Sequence, residues 1–212
     1  MDRATHTEDH AHHAMGSSNA MAVAATLHCL TRCAIGEIVA LMIGAALGLG
    51  NLATIVIAIG LAFLFGYTLS TLPLLRAGLG VGAALSVVLA ADTLSIATME
   101  LVDNLVMAVV PGAMEAGLVN PVFWLSMMLA LTVAFFAAWP VNRWLLDRGK
   151  GHALTHGFHG AEPEGARRFI PDLATPVLVA AITAFMLGGL VVSVADDLGA
   201  EQGPPHSAPS PR

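Results

Sequence analysis

Charge is what this chain has least of. Only 11% of its 212 residues are Asp, Glu, Lys or Arg, less than half the usual share of about 25%. Hydrophobic residues make up 56%, more apolar surface than a soluble domain of this length can hide, so the chain is expected to be integral to a membrane. The net charge of −6 comes largely from tails and connections, which argues against binding nucleic acid or anionic lipid. Cysteine is nearly absent. Cys29 and Cys33 stand one helical turn apart with parallel Cβ vectors, a spacing that disfavours a disulfide and predicts a reduced pair. Several familiar chemistries are also missing: no Walker loop, dinucleotide fingerprint, Gly-x-Ser-x-Gly elbow or His-Glu-x-x-His pair occurs. His28 is the only histidine expected within a span, which leaves no pair of axial ligands for a haem between helices. The first twenty residues hold Asp2, Glu8 and Asp9 and no apolar core, so they do not read as a signal peptide.

What is present is a series of apolar windows, each near the 20 residues needed to cross the hydrocarbon core. Five are expected, over residues 26–49, 52–72, 81–110, 122–144 and 173–194. The fold class is therefore all-α: a bundle of about five transmembrane helices occupying residues 26–195. The third window is long enough that it must tilt, break or emerge. Residues 1–25 are polar and His-rich, with His6, His10, His12 and His13, and 196–212 are rich in Pro and Ser. Both are expected to be disordered. The connection 148–172 is Gly-rich, contains His152, His156 and His159, and is expected to be mobile.

With five spans, one side of the membrane receives Arg3, Arg32, Arg76, Arg143, Arg148, Lys150, Arg167 and Arg168, and the other only Arg212. The positive-inside rule then places the N-terminus in the cytoplasm. On this reading Arg32 and the cysteine pair lie at the inner mouth of the first span, and the thiols are reached from the cytoplasm.

Four acids interrupt the apolar windows: Glu37, Asp92, Glu100 and Asp103. An Asp at the centre of a membrane helix costs about 2.5–3.5 kcal/mol, so such residues line polar cavities or ion paths. Cys29, Cys33 and Glu37 fall four apart on one helix stripe, with His28 beside it. Thiol, imidazole and carboxylate together suit a borderline or soft transition metal, although free cysteines also serve as small packing residues. Gly36, Ala40, Gly44 and Gly48 form a second stripe, suited to close helix approach. On the third span, at 100° per residue from Asp92, Ser95, Met99, Glu100, Asp103, Met107 and Met114 share an arc of about 140° that Asn104 extends. Counting from the expected span ends, Glu37 and Asp92 both come about 16 Å deep, and Glu100 and Asp103 about 12–17 Å further out. The acids would then form a ladder across the membrane.

Three segments resemble an uncharacterised family of bacterial membrane proteins, domain of unknown function 4396. They are HCLTRCAIGE from His28, TMELVDN from Thr98 and FWLSMMLALTVAFFAAWPVNRWLLDRGKGHALTH from Phe123. The resemblance implies a bacterial multi-pass protein and carries no activity or ligands. Residue chemistry alone leads to the functional expectation. The protein should sit in the bacterial inner membrane, with the bilayer and a second copy of the chain as its expected partners and no nucleic acid. It should bind and transport a transition-metal cation, with copper or zinc favoured over magnesium. The metal ligands would be His28, Cys29, Cys33, Glu37, Asp92, Glu100, Asp103, Asn104, His152 and His156. A membrane-embedded metal-dependent enzyme and a non-catalytic membrane subunit remain open alternatives.

Overall fold

The computed structural model describes residues 3–150, 165–171 and 173–201, with side chains for 18–150, 165–171 and 173–199. The described chain is all-α: α1 (Arg3–Leu47), α2 (Asn51–Arg76), α3 (Val81–Val109), α4 (Pro121–Asp147) and α5 (Thr175–Glu201), with a short 3₁₀ turn at Gly165–Phe169. Each helix holds a stretch long and apolar enough to cross a membrane: Ser18–Leu47, Asn51–Arg76, Val81–Val109, Pro121–Asp147 and Thr175–Gly199. Leu52, Val56, Leu101, Leu105, Phe136 and Val191 are exposed on the outside of the bundle. A surface this apolar fits lipid rather than water, as in a multi-pass membrane protein.

Local chemistry sets the ends. Gly48 and Gly78 adopt left-handed backbones (φ 61° and 102°), which a residue with a Cβ resists. Each directs a helix C-terminus into a paired-bond cap: Leu49 N–H donates to Gly44 O at 2.9 Å, and Leu79 N–H to Leu74 O at 3.1 Å. α4 starts at Pro121 behind Asn120, whose Oδ1 accepts from Val122 N–H at 2.9 Å. α3 is one unbroken helix that stops where Val110 turns extended before Pro111. Met114 therefore falls outside the helical arc expected of it.

α1 lies at the centre. Of its most apolar window 44% is buried, against 11% for α5. α1 packs on α2, α4, α3 and α5, and α3 packs between α2 and α4. The small-residue stripe faces α2 as expected. A Cβ on Gly36 would come within 2.5 Å of Ala62 N, and one on Gly44 within 2.7 Å of Thr54 Oγ1. Gly48 has nothing near it and serves the turn instead.

One difference from the sequence reading matters for the site. Residues 1–25 were expected to be disordered, yet the backbone is helical from Arg3 and the span begins at Ser18. Residues 18–25 are uncharged and rich in Ala. Extending a nucleated helix costs little, so the apolar segment carries helix back into them. At the other end α5 runs on to Glu201, beyond the expected limit of 195. Side chains of the early His tract, and all of 151–164 including His152, His156 and His159, lie outside the described residues.

Candidate functional site

The stripe predicted on α1 is buried along its whole length: Cys29, Cys33 and Glu37 are 2%, 1% and 4% exposed. The facing stripe on α3 is buried too, with Asp92, Ser95, Met99, Glu100 and Asp103 each at 6% or less. α1 and α3 both start from the same side of the bundle, so their stripes run parallel. Glu37 and Glu100 are each nineteen residues past the start of their spans (Ser18 and Val81), about 28 Å along at 1.5 Å per residue. They stand at one depth.

The expected ladder is thereby corrected. Starting α1 eight residues earlier moves Glu37 about 12 Å along its span, away from Asp92 and level with the outer acids. Glu37 interacts with Glu100 and Asp103, and Asp103 with Glu100. The thiols adjoin this group: Cys33 interacts with Cys29, Glu100 and Glu37, and Cys29 with Glu100. Both oxygens of Glu100, Oε2 of Glu37 and Oδ1 of Asp103 are buried without a partner in hydrogen-bond geometry. Buried carboxyls in that state require a proton, a cation or water to compensate them. Asn104 is half-buried and turns its amide back to Glu100 O at 2.8 Å.

Toward the N-terminal end of α1 lies a different, well-bonded polar layer. Asn142 of α4 donates through Nδ2 to Thr26 Oγ1 and to Ser95 Oγ, both at 3.0 Å. Thr26 in turn donates to Ala22 O at 2.7 Å. The His28 ring spans two helices, with Nδ1 3.2 Å from Thr175 Oγ1 and Nε2 3.4 Å from Ser70 Oγ. A metal at either nitrogen would displace one of these bonds. Arg32 is enclosed within the bundle. It is 2% exposed, about 21 Å along its span, and donates to His28 O at 3.1 Å. Arg32 and Asp92 both have interaction partners, and Asp92 stands about 12 Å along α3 from Glu100.

The structure thus brings together Glu37, Glu100 and Asp103, with Cys33 and Cys29 adjoining them on the α1 stripe, while the His28 ring is engaged with Thr175 and Ser70. Both thiols are free, as the spacing predicts, but they are buried rather than open to the cytoplasm. Among the described residues no three His, Cys, Asp or Glu converge on a point that could hold a metal ion. The sequence reading missed Thr26, Ser70 and Thr175, the partners of Asn142 and His28. Ser and Thr in apolar helices commonly bond their own i−4 carbonyl, as Thr71 does to Tyr67 O at 2.7 Å, so the residue type alone gives no signal.

No curated protein and no solved structure matches the chain. The model of one family, described as domain of unknown function DUF4396, matches residues 18–151. That range contains α1–α4 of the bundle, the acid and thiol groups and Asn142, and leaves out α5. Over that range the chain belongs to the DUF4396 family.

Proposed function

We propose that this is a bacterial inner-membrane protein, N-terminus in the cytoplasm, that binds a transition-metal cation within its bundle and conveys it across the membrane. The observation carrying the proposal is the acid group Glu37–Glu100–Asp103, in which four buried carboxyl oxygens lack a hydrogen-bond partner. The groups that act on these carboxyls are one another and the Cys29 thiol. A cation supplies the missing compensation, and the adjoining thiols bias the group toward borderline and soft ions. Asp92, His28 and Asn104 would line the approach rather than the binding point.

A second reading has its own support. The donors do not converge on one point, and a proton needs no such convergence. On that reading the acids pass protons along α1 and α3.

The two readings part in one experiment. Purified protein is analysed for bound metal, reconstituted in vesicles, and assayed for zinc or copper flux and for proton flux, alongside Glu37→Gln. Metal uptake lost in the variant supports the first reading. Proton flux with no metal bound or moved overturns it.

A further inference from the structure

We infer that Cys29, Cys33 and Met99 form a sulfur site for a soft monovalent metal ion, next to the acid group and distinct from it. The inference deepens the metal reading above, and rests on it, by naming the class of ion carried.

Met99 entered the sequence argument only as part of an arc. In the folded bundle it is 1% exposed and shares one core cluster with Cys29 and Cys33. The other buried members are Ala62, Ile96, Ala134 and Ala138, none of which offers a polar atom. Gly66 belongs to the same wall: a Cβ there would be 2.8 Å from Ile96 Cδ1 and 3.8 Å from Cys33 Sγ. Two thiols and a thioether are therefore the donor atoms available within this packed apolar cluster.

Donor type decides the ion. Thiolate and thioether select soft ions such as monovalent copper, whereas carboxylate and water suit magnesium, calcium and manganese. A low-charge ion also fits the setting, since two thiolates and one monovalent ion leave a single net charge to bury, and a neutral thioether adds none. Binding displaces the thiol protons. Both protons are released to bulk solvent, and Glu100 interacts with both cysteines.

Glu100, a member of the acid group, also bears on the sulfur site. Glu100 is 3% exposed and neither of its oxygens has a partner in hydrogen-bond geometry, which is costly as packing alone. Cys and Met by themselves make good apolar filler, but filler does not account for an unsatisfied acid placed against it.

The test uses the full chain, reduced and purified, titrated anaerobically with Ag⁺ as a redox-inert soft ion and separately with Zn²⁺. Bound metal is counted after gel filtration, and the ultraviolet thiolate-to-silver band is recorded. The expected result is one Ag⁺ per chain with that band present. Cys29→Ser, Cys33→Ala and Met99→Leu should each weaken Ag⁺ binding about tenfold or more, while eluting as the wild type does. Glu100→Gln should keep the band. Equal Ag⁺ affinity in wild type and in all three sulfur variants overturns the sulfur site, as does wild-type binding without the band. Failure of the acid-group reading is separately visible, because it appears as Zn²⁺ binding unchanged in Glu37→Gln.

Discussion

Gly36 of α1 rests on the backbone of Ala62 of α2, so closely that a Cβ would meet Ala62 N at 2.5 Å. The contact is backbone to backbone, and no side-chain rotation relieves it. Gly36 also precedes Glu37, so the position that lets the two helices touch fixes where the first acid of the group points.

Gly36→Val should therefore force α1 and α2 apart. Overpacking of this kind costs about 1–3 kcal/mol. A lowered unfolding midpoint in detergent is the expected outcome, accompanied by loss of any metal binding that depends on Glu37. Gly60 has open space around it, and Gly60→Ala should leave metal binding unchanged without lowering the midpoint.

Asn142 should act as a joint between three helices. Interhelical hydrogen bonds in membranes average about 0.6 kcal/mol and reach about 1.7, so Asn142→Leu, which breaks two, is expected to cost about 1–3 kcal/mol. A double-mutant cycle with Ser95→Ala isolates one of the bonds. A coupling near zero would mean that the contact contributes nothing to stability.

The acid group makes a prediction about additivity. If Glu100 and Asp103 compensate one shared cation, either Glu100→Gln or Asp103→Asn should weaken metal binding strongly, and the second change should add less than the first. Metal titration of both single variants and of the double variant measures this. Wild-type affinity in the double variant would remove α3 from the site.

Cys29 and Cys33 are 2% and 1% exposed, so membrane-impermeant thiol reagents should label neither residue quickly from either face, and denaturant should release both. Rapid labelling of folded protein in inverted vesicles would show an open route to the thiols. Orientation has its own check. Reporter fusions near Ser18 and after Glu201 should fall on opposite sides, as five spans require. Arg32 is deep in the bundle and adds nothing to the charge bias, which still stands at seven basic residues to one without it.

Much of the bundle is legible in the sequence because bilayer thickness and apolar run length are tied together. The breaks at Gly50-Asn51, Gly78 to Gly80 and Asn120-Pro121 also carry turn chemistry that depends on no tertiary contact. Legibility fails at residues 18–25, uncharged and small, where nothing marks the boundary between tail and span. That one ambiguity moved Glu37 by two helical turns and made a cluster look like a ladder. Membership of the stripes survived the error, because residues four apart share a face wherever the helix begins. Which stripe meets which at a given depth depends on neighbouring helices, and the chain does not spell that out. Asn142 shows the same limit: a polar residue in an apolar run announces a partner without naming it.

The turn at Gly48 leaves only Gly48 to Gly50 between α1 and α2, and Gly36 and Gly44 hold the two helices together farther along. The pair behaves mechanically as one stiff hairpin. A cation can reach the acids only if something in the bundle yields, and this hairpin is not where it yields. On the proposed function the seam expected to open is the one between α1 and α3, which holds carboxyl oxygens without hydrogen-bond partners rather than a backbone-to-backbone contact. The group proposed to bind the ion would then also be the seam's weakest contact, and an arriving positive charge would draw its two sides together.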